Sequence, residues 1–254
     1  MPVLDLLCRE ERIRRVILVE PDVYKAHNVY RHLFAPSDVG QTKARLARRW
    51  LLERRPDLDV TLLEVDLLDP TAAGALDEAA GEADLGICAA DAETAKYHFD
   101  ALMRRHGKPW TLGEVLSGGI GGFVHWFVPG GPCYGCVASH LKRSVEVDKP
   151  PTPDYATPGG PVHEVTIPAT KTSISVIAGL HAQLTLQLLN AGKDFNPGFT
   201  SMLFPLERVP GIFEEAFKTY KFRIPRLADC LMCRPSAAPA DLDAELNRAL
   251  ERIQ

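Results

Sequence analysis

The sequence predicts an α/β fold in which a mainly parallel sheet carries helices on both faces. Three observations predict it. Short β-branched runs alternate with apolar stripes of helical period through the first half of the chain. Each run is separated from the next by enough residues for one crossover helix. Past residue 118 the character changes to glycine-rich turns, short strands and paired cysteines, so the second half is read as a separate unit with antiparallel strands.

Taken in order, residues 3–11 set Val3, Leu4, Leu6 and Leu7 against Asp5 and the charges at 9–12. Those charges break up any signal-peptide core and leave a short helix. Residues 14–20 (RRVILVE) form the first strand and end on Glu20, 58–65 the second and 84–89 the third. Between them, 42–55 repeats Ala44, Leu46, Ala47, Trp50 and Leu51 as a helical stripe, and 93–105 does so with Ala95, Phe99, Leu102 and Met103. After the glycines of 118–122, a strand over 123–128 runs into Cys133. The prolines of 150–168 exclude regular structure and predict a crossing loop. Residues 172–190 form a long apolar helix capped by Thr170 or Thr172. Its most apolar stretch, 175–189, contains His181, Gln183 and Gln187, which marks a core helix rather than a membrane span. Strands over 202–209 and 219–224 return to a second cysteine pair. A Pro/Ala linker then leads into a terminal helix over 241–254, striped by Leu242, Leu246, Leu250 and Ile253. The expected organisation is one domain over 1–234, in halves 1–117 and 118–234, followed by the linker and helix of 235–254.

At 254 residues, with 46% hydrophobic and 24% charged, the chain can bury a large core like an ordinary globular protein. A net charge of −4 argues against nucleic-acid and anionic-membrane partners, which require a concentrated basic face. The pairs Arg48–Arg49 and Arg54–Arg55 read as a solvated helix face. With no export signal, the expected compartment is the cytoplasm.

Cys133-Tyr-Gly-Cys136 and Cys230-Leu-Met-Cys233 supply four thiolates from two matched knuckles, the donor set of a closed, structural Zn²⁺ site. Two redox pairs or disulfides are the alternatives, and the expected cytoplasmic compartment disfavours them. Glu20, at a strand end, is placed to accept hydrogen bonds from ribose hydroxyls. Asp22, Asn28, Arg31 and Lys43 follow at a spacing that would let an amide and two cations converge on a triphosphate. Asp91, just past the third strand, suits Mg²⁺. Singly, these are a turn amide, surface charges and a helix cap; in this order they carry more weight as a candidate nucleoside triphosphate site.

The run 16–43, VILVEPDVYKAHNVYRHLFAPSDVGQTK, resembles the ThiF/MoeB/HesA signature of strand, Asp-x-Asp, Asn-x-x-Arg-Gln, Val-Gly and Lys. Ala89-Ala90-Asp91 is similar to the segment bearing that family's magnesium-proximal aspartate, and both cysteine pairs match its zinc knuckles. The resemblance implies a Rossmann-like adenylating protein related to the ubiquitin-activating enzymes. In it Glu20 would meet the ribose, Asn28 and Arg31 the phosphates, Lys43 both, and Asp91 the metal. Arg31 and Asp91 would carry the chemistry. The implied reaction is attack by the carboxyl terminus of a small ubiquitin-like protein or a peptide on the α-phosphate of ATP. A homodimer is implied as well.

The sequence departs from the pattern in three places. The family's opening strand and Gly-x-Gly-x-x-Gly turn have no counterpart before Arg14, and residues 3–11 look like the helix that would follow them. Glu20 and His32 stand where Asp and Gln are usual. Residues 137–229 contain no cysteine, which disfavours covalent carriage of the acyl group; Cys8 and Cys88 read as buried thiols. No histidine is given a catalytic role. Rival readings are a non-catalytic scaffold that docks a ubiquitin-like partner, and a zinc-stapled dehydrogenase, which lacks the glycine fingerprint.

Overall fold

The computed structural model describes residues 1–142 and 168–234. The expected terminal helix over 241–254 and all but the last residue of the expected loop over 150–168 fall outside them. The elements are α1 (Pro2–Leu7), β1 (Arg15–Val19), α2 (Lys43–Arg54), β2 (Asp59–Leu63), α3 (Ala73–Glu82), β3 (Gly86–Cys88), α4 (Glu93–Arg105) and β4 (Trp110–Val115). They continue with β5 (Gly121–Phe127), α5 (Tyr134–His140), α6 (Lys171–Ala191), β6 (Ser201–Pro205) and β7 (Tyr220–Phe222).

Strands and helices alternate as expected, but the strands do not form one mainly parallel sheet. β1 and β2 pair in parallel by themselves. A second sheet runs β3-β4-β5-β6-β7, parallel at β3–β4 and antiparallel at every later pair. At β3–β4–β5 the length of the connections decides the direction of pairing. A whole helix, α2 or α4, separates each parallel pair, whereas β4 reaches β5 through a tight turn in which Gly118 and Gly119 take φ of 73° and 72°. So short a link permits only antiparallel return. Among the described residues, no strand bonds the second edge of β1 or of β3. Val19 and Ile87 on these strands are 38% and 39% exposed, uncommon for parallel strands.

The main core lies between β3–β5 and the helices α3, α4 and α5. There Trp110 stacks on Phe127 with centroids 4.0 Å apart, beside buried Leu112, Leu102 and Val137. α6 covers the other face. Thr170 caps it, accepting from the Ser173 N–H at 3.1 Å. α6 is long and apolar enough to cross a membrane by composition. Its buried residues Ile177, Ala178, His181, Ala182, Leu184, Thr185 and Leu188 make it a core helix, packed on β4 and β5. It can lie close because two strand positions have no side chain: a Cβ on Gly113 would stand 2.5 Å from His181 Nδ1, and one on Gly122 2.6 Å from Ile177 Cγ1.

Arg54 and Arg55 are not simply solvated. Arg54 lies 3.3 Å over the Trp50 ring, and the Arg55 guanidinium donates to the carbonyls of Cys8, Glu10 and Ile13. A planar group with five donors serves a turn full of unsatisfied carbonyls, which a helical-wheel reading of α2 does not register.

Candidate functional site

Two groupings emerge, one around the turn after β1 and one at the four cysteines. In the first, the Glu20 N–H continues the β1–β2 ladder to the Leu63 carbonyl, and Glu20 Oε1 accepts from the Asp22 N–H at 3.0 Å. Asp22 holds Lys43 twice, through a 2.5 Å ion pair to Nζ and a 2.8 Å bond from the Lys43 N–H to the Asp22 carbonyl. With the Val23–Thr42 bridge, this clips the ends of the 23–42 loop together. Inside it, fully buried Tyr24 donates to the Phe34 carbonyl at 3.0 Å. Asn28 is buried, and its Oδ1 accepts from the Lys25 N–H at 2.9 Å. Its oxygen is therefore spent on a turn, as the plainer reading of that residue held.

Arg31 and His32 follow on the same turn, both N–H groups donating to the Asn28 carbonyl at 2.9 Å. No ion pair to the Arg31 guanidinium is found among the described residues. His32 packs edge-on to Tyr24 and leaves Nδ1 buried without a hydrogen-bond partner. Burial, helped by the charges of the Met1 amino group, Lys43, Arg31 and Lys171, pushes its imidazole down to about 4. The start of α1 completes the grouping: Met1 packs beside Tyr24, Phe34 and Leu46, and Glu20, Lys171 and Lys43 are its charged neighbours. Glu20, Asp22, Arg31 and Lys43 thus gather in one neighbourhood. Asp91 is exposed just past β3 of the second sheet, with Cys88 as an electrostatic neighbour. Burial pushes the Cys88 thiol up to about 11, which fits a structural thiol. A surface hollow of about 540 Å³ runs along α2, lined by Arg45, Arg48, Arg49, Leu52, Glu53 and Leu62; it includes none of these residues.

The second grouping matches its sequence reading closely. The four Sγ atoms lie within 4.8 Å of one another, at 3.7 Å for Cys133–Cys136, 3.5 Å for Cys133–Cys230 and 3.6 Å for Cys136–Cys233. Disulfides would need about 2.05 Å. A tetrahedron of thiolates about 2.3 Å from a central ion has edges of about 3.8 Å, so the cluster fits zinc. Gly135 lets the knuckles meet, since a Cβ there would stand 2.8 Å from Met232 Cγ. Burial raises the Cys133 and Cys136 thiols, so four thiolates at this spot call for a cation.

Sequence reasoning missed a buried polar chain. Tyr134 donates to Glu93 at 2.6 Å, Lys96 bridges Glu93 at 2.8 Å and Glu114 at 2.5 Å, and Glu114 meets His125 Nε2 at 3.0 Å. His125 Nδ1 then meets Ser201 Oγ at 2.7 Å. Although burial acts to lower it, the Glu114 and Glu93 carboxylates hold the Lys96 ammonium above its usual range. Ser201 and His125 are fully buried, so this serine–histidine–glutamate series is a strut joining α4, β4, β5 and β6, not a reaction centre. Lys96 at period-correct spacing on an amphipathic helix was its one trace in the sequence. Lys171, the first residue of α6, was missed too, although a lysine opening a long helix opposes the helix dipole and is a detectable oddity.

The ThiF family pattern matches residues 2–216. Among solved structures, the chain is similar to E. coli MccB with MccA-N7isoASN, at TM-score 0.68 and 19% identity over 92% of this chain and 64% of that one. It is similar to E. coli MccB with ATP, at TM-score 0.62 and 19% identity over 91% and 69%. It is also similar to PaaA, at 0.59 and 15% over 87% and 75%. In the first of these pairings the chain spans less than two thirds of the other protein. Identities this low establish a shared fold. No curated protein matches the chain.

Proposed function

From the premise that this chain belongs to the ThiF family, we propose that it is an ATP-dependent adenylating enzyme. Its substrate is the carboxyl terminus of a peptide or a small ubiquitin-like protein. A carboxylate oxygen attacks the α-phosphorus of ATP, the bond to the β-phosphate oxygen breaks, and an acyl-adenylate and pyrophosphate result. Attack of one anion on another needs charge neutralisation and alignment rather than a covalent nucleophile. The observation that supports this is the gathering of Glu20, Arg31 and Lys43 in one neighbourhood, with no ion pair to the Arg31 guanidinium among the described residues. In this reading Glu20 accepts from the ribose, Lys43 reaches ribose and phosphate with Asp22 steadying it, and Arg31 takes phosphate oxygens. The Asn28 amide nitrogen is left to join them, its oxygen being engaged.

Mg²⁺ would neutralise phosphate charge. Among the described residues the one grouping of three or more His, Cys, Asp or Glu able to share an ion is the four cysteines. Asp91 alone would therefore meet an ion that arrives on the nucleotide, which suits an ion that keeps waters and phosphates as ligands. Zn²⁺ at Cys133, Cys136, Cys230 and Cys233 is structural, because four thiolates leave no open position. MccB structures with ATP and with N-formylated MccA favour a peptide over a ubiquitin-like substrate. A homodimer in the cytoplasm completes the proposal.

The rival is a scaffold of the same fold that docks its partner without nucleotide. Titration calorimetry with Mg²⁺ and ATP separates them: the enzyme binds, and Arg31→Ala removes the binding. Absence of ATP binding by the intact chain would rule out the enzyme.

A further inference from the structure

We infer that Lys171, the first residue of α6, is a phosphate-binding residue, its Nζ taking a nucleotide phosphate oxygen alongside Arg31. This rests on the nucleotide reading above and adds to it a residue contributed by the second half of the chain.

Three observations carry it. Lys171 Nζ is shut off from solvent and has no hydrogen-bond partner among the described residues. A buried ammonium without a partner is among the more costly groups a protein can hold, and it persists where a ligand supplies the counter-charge. Lys171, Lys43, Arg31 and the Met1 amino group all bear on His32, whose own Nδ1 is buried and unpartnered, and Asp5 is the charged group that bears on Lys171 itself. Arg31 has no ion pair among the described residues, so two positive side chains here await the same kind of ligand. Lys171 also sits at the amino-terminal end of a 21-residue helix, where the backbone dipole is positive and disfavours an ammonium unless an anion is present.

Among the described residues, no acid forms an ion pair with it. Asp5 is its electrostatic neighbour, yet Asp5 Oδ1 already accepts from Trp50 Nε1 at 2.9 Å and from Arg9 at 3.0 Å. Glu20 is turned to the Asp22 N–H, and Asp22 to Lys43. Burial pulls the Lys171 ammonium below its usual range, which agrees with a charge lacking compensation in the free protein. The Thr170 cap and the fit of Ser173 against Gly119, where a Cβ would stand 2.7 Å from Ser173 Oγ, fix the first turn of α6.

The test is titration of the intact chain with Mg²⁺-ATP, pyrophosphate and adenosine, comparing Lys171→Met, Lys171→Arg, Arg31→Ala and the exposed control Lys193→Met. Lys171→Met should weaken ATP and pyrophosphate on the order of ten- to a hundredfold and leave adenosine unchanged. Lys171→Arg should stay close to the parent, as should Lys193→Met. Without ligand, Lys171→Met should melt higher than the parent, since it removes an uncompensated buried charge; a structural lysine would melt lower when removed. ATP affinity unchanged in Lys171→Met but lost in Arg31→Ala would overturn this inference and leave the nucleotide reading standing. A parent chain that binds no ATP yet binds pyrophosphate through Lys171 would overturn the nucleotide reading and support the anion site.

Discussion

Replacing Gly122 by alanine should destabilise the fold, although the same substitution stabilises many proteins. Gly122 lies on β5, paired with Val115 of β4 and Phe204 of β6, under α6. A Cβ there would stand 2.4 Å from the Glu114 carbonyl oxygen, 2.6 Å from Ile177 Cγ1 and 2.8 Å from Ile177 Cδ1. The first contact falls about 1 Å short of ordinary van der Waals distance, and it is with backbone that cannot rotate away. Either β4 and β5 part or α6 lifts, at an overpacking cost of about 1–3 kcal/mol. Reduced freedom of the unfolded chain returns about 0.4–1 kcal/mol. At midrange the net loss is about 1.3 kcal/mol, which for a chain of this size lowers the melting temperature by roughly 3–5 °C. The control is Gly74→Ala on α3, where a Cβ meets nothing within 4 Å. Gly74 lies in the first turn of α3, so alanine there should be neutral or stabilise by up to about 0.5–1 kcal/mol. Thermal unfolding followed by circular dichroism reads both. Adding Ile177→Val to Gly122→Ala removes the Cδ1 contact and should recover only a small part of the loss, because the carbonyl clash remains. If Gly122→Ala melts at or above the parent, the close seating of α6 on β5 is wrong.

Two further predictions concern the cysteine cluster and the buried histidine. Cys230→Ser should reduce zinc in the purified protein from one per chain towards none and cost several kcal/mol, read by elemental analysis and thermal unfolding; a metal-free parent of equal stability would refute the staple. Burial holds His181 down to about 4, well below an unfolded imidazole near 6.5. Between those values the unfolded chain binds a proton that the native chain excludes, so stability is full above about pH 6.5 and falls as the pH drops to about 4, by roughly 3 kcal/mol from His181. His32 adds a loss of the same sign over the same window. His181→Gln should flatten the stability–pH slope there, and an unchanged slope would show that the ring is protonated in the fold.

Much of the architecture was readable because it rests on local periodicity. The helix over 93–105 coincides with α4, Thr170 caps α6 as expected, and the first three strands fall where β-branched runs placed them. β4 was not singled out: its WTLGEV run is short and contains Gly113, which weakens any strand signal yet is what admits His181. Arg55 was read as solvated because its carbonyl partners at 8, 10 and 13 lie some forty residues away. The Lys96–Glu114–His125 strut left only Lys96 as a trace, because its members come from three different elements that only the fold brings together.

The sequence by itself determined the α/β class, the family and the four-cysteine set, since each depends on residue type at fixed spacing. Only tertiary structure decided that the parallel strands divide between two sheets and that Glu20, Arg31 and Lys43 share a neighbourhood. It alone brought Lys171 to them from the other half of the chain. Spacing along a chain records which side chains are present; which of them lose their counter-charges depends on what packs around them, and that is set by contacts far apart in sequence.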